Sequence, residues 1–108
     1  MFFLMTCLHH PNRAAQRDRL RPAHRDWVRS GGAGRVSVLI GSALWGDDGT
    51  PAGHWGILEA ETLAAARAFA DGDPFATGGV VASATLTRLA DGFMADRIAP
   101  RMTTPDQT

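Results

Sequence analysis

The stretch GRVSVLIGSALW-GDDGTPAG-HWGILEA, residues 34–60, decides the fold. Val36, Val38, Leu39 and Ile40 make its first third β-branched and apolar enough for a strand. Residues 46–53 are dense in turn formers, and His54–Ala60 resumes an extended apolar pattern, so the whole reads as a hairpin. Working outward, Leu20, Ala23, His24, Trp27 and Val28 recur at helical spacing and mark one buried stripe, closed by Gly31-Gly32. Pro22 lacks an N–H and pushes Arg21 out of the α region. The firm helix is therefore expected at 22–30, with 13–20 as a looser lead-in. Upstream, Met1–His9 is an apolar run stopped by His10-Pro11-Asn12, a strand by its length. Downstream, Thr62 is an N-cap candidate for a helix to Ala70, rich in alanine. Asp71-Gly72-Asp73-Pro74-Phe75 breaks that helix, and Val80–Leu89 alternates as a last strand.

The order β-α-β-β-α-β predicts an α+β, ferredoxin-like domain over residues 1–90: four antiparallel strands with both helices on one face. The other sheet face then needs cover, and the simplest cover is a second copy stacked sheet to sheet. A homodimer is thus expected, with Trp45 and Trp55 as interface candidates. Residues 91–108, with two prolines and no sustained period, are expected to be a loose or partner-dependent extension anchored only by Phe93, Met94 and Ile98.

The 108 residues are 44% apolar and 20% charged, ordinary usage for one globular domain. Net charge is zero but uneven. Residues 1–46 hold seven Arg against Asp18 and Asp26, whereas residues 47–108 hold four Arg against nine acids. This asymmetry fits self-association or an anionic small ligand near the first half, and argues against a nucleic-acid footprint, which needs a net basic domain. Cys7 is alone, so neither an intramolecular disulfide nor a cysteine zinc site is expected. No apolar run approaches membrane-spanning length, and Met1–Leu8 lacks the basic start of a signal peptide, so no membrane contact and a cytoplasmic location are expected.

Arg21-Pro22-Ala23-His24, Gly34, Gly41, Gly56-Ile57-Leu58-Glu59-Ala60, Asp71-Gly72-Asp73-Pro74-Phe75 and Gly79-Val80-Val81 together resemble the YCII-related family in content and order. The resemblance implies a dimeric α+β barrel in which a helix histidine and an aspartate before proline meet in a pocket; here these are His24 and Asp73. The family is similar in fold to muconolactone isomerases, and some relatives are associated with breakdown of aromatic rings. Ser42 stands where the family often has proline, and residues 90–108 lie outside the pattern.

His24 sits in the apolar stripe, so its ring needs a buried partner. Asp73 can supply one, fixing the tautomer and raising the basicity of the other nitrogen as a general base requires. The plainer alternative is a core histidine satisfied by backbone, with Asp73 capping the turn begun by Pro74. Arg21, three residues before His24, is a candidate to hold a ligand carboxylate or phenolate. Ser42 and Phe75 are the further pocket candidates. Arg13, Arg17, Arg25 and Arg29 read as a solvated face. A metal site among His9, His10, His24 and His54 is not expected, because no His-x-His or Glu-x-x-His spacing exists. Two functions follow: a cofactor-independent enzyme moving a proton in isomerisation, elimination or hydrolysis of a cyclic or aromatic-derived acid, or a non-catalytic small-ligand-binding or regulatory module.

Overall fold

The computed structural model describes residues 1–104. Strand β1 spans Phe2–His9, helix α1 Ala14–Gly34, strands β2 and β3 Ser37–Trp45 and Pro51–Glu59, and helix α2 Leu63–Gly72. A one-turn helix α3, Pro74–Thr77, precedes β4, Val81–Arg88, and a 3₁₀ turn at Ala95–Arg97 follows. The strands lie in the order β2-β3-β1-β4 and every pairing is antiparallel. This is the expected α+β, ferredoxin-like arrangement, with one extra helical turn before β4.

Alternation along the strands places the core. Phe3, Met5 and Cys7 of β1 point to the helices, as do Val38 of β2 and Leu58 of β3. Ala66, Phe69 and Ala70 of α2 close over them, and α1 packs its Trp27 and Val28 against the same cluster. Burying each of Phe3, Phe69 and Leu58, all at most 1% exposed, contributes roughly 1.5–3 kcal/mol. The Trp27 indole N–H donates to Phe69 O at 3.0 Å, tying α1 to α2. The opposite face is left to solvent: Leu8 and Ile40 are exposed, and Leu4, Trp55 and Ile57 are half-buried.

Two expectations need correction. The lead-in over 13–20 is not a looser segment; α1 runs as one helix from Ala14 with Pro22 inside it. Pro22 lies on the exposed side, where the Asp18 carbonyl it leaves unpaired meets water, so the apolar stripe carries the helix through. The right-handed part ends where expected, since Gly31 and Gly32 both take φ 64°. Nor are residues 101–104 loose. They lie along β2, with Met102 N donating to Leu39 O and Thr103 N to Val38 O at 3.2 and 3.0 Å. Thr103 Oγ1 accepts from Val38 N and donates to Val28 O, both at 2.8 Å. Phe93 also packs edge-on against Phe2. Residues 105–108 of the expected extension lie outside those described. Among the described residues, no helix is long and apolar enough to cross a membrane.

Candidate functional site

Four elements converge at the end of β1. His9 shares the inward parity of Phe3, Met5 and Cys7, and a register shift at Leu8/His9 re-aims it. His54 lies on β3 opposite Cys7, with the inward parity of Gly56 and Leu58. His24 comes from the buried stripe of α1, and Asp73 from the junction of α2 and α3. The aspartate is there for a local reason: its Oδ1 accepts from Phe75 N at 2.8 Å and so caps α3, whose first residue is Pro74.

The same carboxylate reaches across to His24, whose Nδ1 stands 2.8 Å from both Asp73 oxygens. Capping and pairing thus coexist in one buried side chain, Asp73 being 3% exposed. The Phe75 ring lies flat on His24, centroids 4.1 Å apart at 8°, and meets His9 and His54 edge-on. His24 Nε2 has no partner among the described residues.

His9 and His54 form a second, directional chain. An Arg17 guanidinium nitrogen lies 3.1 Å from His9 Nδ1, and His9 Nε2 lies 2.8 Å from His54 Nδ1. A guanidinium only donates, so His9 Nδ1 accepts and its proton is on Nε2. That proton goes to His54 Nδ1, which leaves the His54 proton on Nε2. There it is buried without a hydrogen-bond partner, 3.9 Å from Asp73 Oδ2. Burial, with the charges of Arg17 and His24, lowers His9 to about 4; burial, with the charge of His24, lowers His54 to about 4. Both rings are neutral at pH 7. Burial, reinforced by Asp73, pushes the Cys7 thiol up to about 12 and leaves it inert.

A cavity of about 690 Å³ opens between α1 and the sheet, with His9, His24, His54 and Phe75 at one end. Its aromatic and aliphatic walls include Trp45, Phe69 and Val38, Met102 of the C-terminal extension borders it too, and Trp55 touches its rim from the opposite sheet face. Arg17, Arg21, Arg25 and Arg29 line its helical side. At spacing four they form one ridge of α1, so three of the arginines read as a solvated face in fact border the cavity. Arg21 lines it while pairing with Asp18 at 2.8 Å. Ser42 borders it as well, but its register with Trp55, one step from His54, sets its side chain on the opposite sheet face, and its hydroxyl donates to Ala43 O.

Sequence spacing argued against a metal, yet the fold brings ligand atoms of His24, His54 and Asp73 within 4.8 Å of one another. What opposes a cation there is the proton inventory. His54 would have to ligate through Nε2 and move its proton to Nδ1, against a His9 Nε2 whose own proton is fixed by Arg17. The arrangement is one that can handle protons: an imidazole held by a carboxylate, beside neutral imidazoles, at one end of an aromatic, cation-rimmed cavity.

The YCII-related domain pattern matches residues 1–90. The chain belongs to the YCII-related family. Among solved structures, this YCII-related chain is similar to the 5-chloro-2-hydroxyhydroquinone dehydrochlorinase TftG from Burkholderia phenoliruptrix AC1100, in its complex with 2,5-dihydroxybenzoquinone. The two are 26% identical with a TM-score of 0.72, over 85% of this chain and 96% of that one. The fold is therefore that of the dimeric α+β barrel proteins. No curated protein matches the chain.

Proposed function

We propose that this YCII-related chain is an enzyme that moves a proton on a hydroxylated or quinoid six-membered ring, with elimination or isomerisation as the outcome. The observation that carries the reading is the His24–Asp73 pair at the end of an aromatic-walled cavity. Asp73 accepts a hydrogen bond from the Nδ1–H of His24, so His24 offers the Nε2 lone pair as general base. The likeness to TftG supports the choice of a ring substrate. Flat aromatic walls suit such a ring, and the arginine ridge suits its ionised oxygens. Arg21 is the proposed anchor, and Phe75 fixes the plane of His24.

In the proposed step, a ring hydroxyl gives its proton to His24 Nε2 and its O–H electron pair becomes a carbonyl. Delivered to a ring carbon, that proton completes an enol-to-keto isomerisation. Where that carbon bears a halide, deprotonation of a second hydroxyl expels the halide with its bonding pair. The net loss is one proton and one halide; conversion of two ring hydroxyls to carbonyls is balanced by exchange of the carbon–halogen bond for a carbon–hydrogen bond, so no external oxidant or reductant is called for. The apolar sheet face carrying Leu4, Ile40, Trp55 and Ile57 is the proposed site of a homodimer.

Incubation with 5-chloro-2-hydroxyhydroquinone, followed by chloride release, tests the reading. Release above the uncatalysed rate supports it. Tight binding of 2,5-dihydroxybenzoquinone without any conversion of the chlorinated ring would make the chain a binding module instead.

A further inference from the structure

The Arg17–His9–His54 chain runs between a cation at the cavity wall and the buried carboxylate of the pair, and both of its ends impose the same polarity. Arg17 can only donate, which fixes the protons of His9 and then His54 on their Nε2 atoms. Asp73 as a carboxylate can only accept, which favours the same N–H facing it across 3.9 Å. The opposite tautomer of His54 would set a lone pair against a buried negative charge. The His54 N–H pays for this orientation by having no hydrogen bond in the free protein, although the residue is only 8% exposed.

We infer that His54 is a positioning residue, and that Arg17 and His9 fix its proton on Nε2 so that it faces Asp73 and holds the carboxylate in the orientation that keeps His24 Nε2 free as base. This rests on the proposed role of His24 and Asp73, and adds three residues to it. His54 does not exchange a proton with the ring. When His24 becomes an imidazolium, Asp73 has its hydrogen-bonded N–H on one side and the His54 N–H on the other at 3.9 Å, an electrostatic contact that opposes rotation of the carboxylate. Through Arg17, an anion in the cavity is also linked to the pair by two neutral, aligned imidazoles.

Nitrogen-15 NMR of the histidine rings in the full chain at pH 7 tests the tautomers without any ligand. Proton on Nε2 and lone pair on Nδ1 is expected for both His9 and His54. A His54 ring carrying its proton on Nδ1, or on both nitrogens, would overturn the inference. Turnover of 5-chloro-2-hydroxyhydroquinone supplies the second readout. His54→Phe should lower kcat roughly ten- to a hundredfold, with KM changed far less. His54→Gln, whose amide N–H can still face Asp73, should recover part of that loss. Equal kcat in His54→Phe and wild type, or no recovery in a folded His54→Gln, would count against the inference. Absence of turnover by the wild type would refute the ring-substrate reading alone, and the tautomers then decide the positioning role.

Discussion

His24 Nδ1 stands 2.8 Å from both carboxylate oxygens of Asp73, although 49 residues separate the two in the chain. One of those oxygens also caps α3 through Phe75 N. The aspartate thus caps α3 and, in the proposed reaction, orients His24, and substitutions separate the two. Asp73→Asn keeps an acceptor for the Phe75 amide but takes the negative charge off the His24 proton. Turnover should fall about 100- to 10,000-fold while the fold remains. Asp73→Ala loses the cap as well and should be about 1 kcal/mol less stable than Asp73→Asn in parallel urea melts.

His9 and His54, both lowered to about 4, tie stability to pH. In the unfolded chain the rings take up protons from about pH 6.5, whereas in the folded chain they resist until about 4. Their contribution is therefore complete above about pH 6.5 and is lost as pH falls toward 4, on the order of 2–3 kcal/mol for the buried His54. Urea midpoints measured from pH 7.5 to 4.5 should fall steadily. His54→Asn retains an acceptor for His9 and cannot titrate, so its profile should be flatter.

Phe75 is buried and stacks on His24 at 4.1 Å. Phe75→Ala should cost about 3–5 kcal/mol through the cavity it leaves. Phe75→Leu fills most of the space but removes the flat surface that sets the imidazole plane. Its circular dichroism should match wild type, while turnover falls at least about tenfold from misplacement of the base.

The local parts of this fold were readable because they are written in short-range patterns. The hairpin of β2 and β3 follows from β-branched runs around a turn, and the stripe through His24, Trp27 and Val28 shows the buried side of α1. The His24–Asp73 pair came from the stripe and the family resemblance together. What escaped was long-range. His9 and His54 are 45 residues apart and meet because β1 and β3 pair. Parity was the available signal: His54 is in step with Leu58, and His9 with Phe3, so both face the helices. Arg17 reads as solvated in the sequence, although Arg17, Arg21, Arg25 and Arg29 follow at successive steps of four and so share one ridge.

The anchoring of residues 101–104 is not legible locally, because it rests on long-range partners in β2, β3 and α1 that no periodic pattern announces. Thr103 Oγ1 pairs with Val38 N and Val28 O at once, joining the extension to β2 and to α1. Thr103→Val keeps the shape and leaves both backbone groups unpaired. A loss of about 1–3 kcal/mol is expected in denaturant melts, and Met102 beside Thr103 should then leave the cavity wall less well fixed.

The most direct measurement is chloride release from 5-chloro-2-hydroxyhydroquinone by wild type and by His24→Ala, with circular dichroism showing that both are folded. The expected result is release above background by the wild type and none by the variant. Release by folded His24→Ala at the wild-type rate would contradict the assignment of His24 as the base.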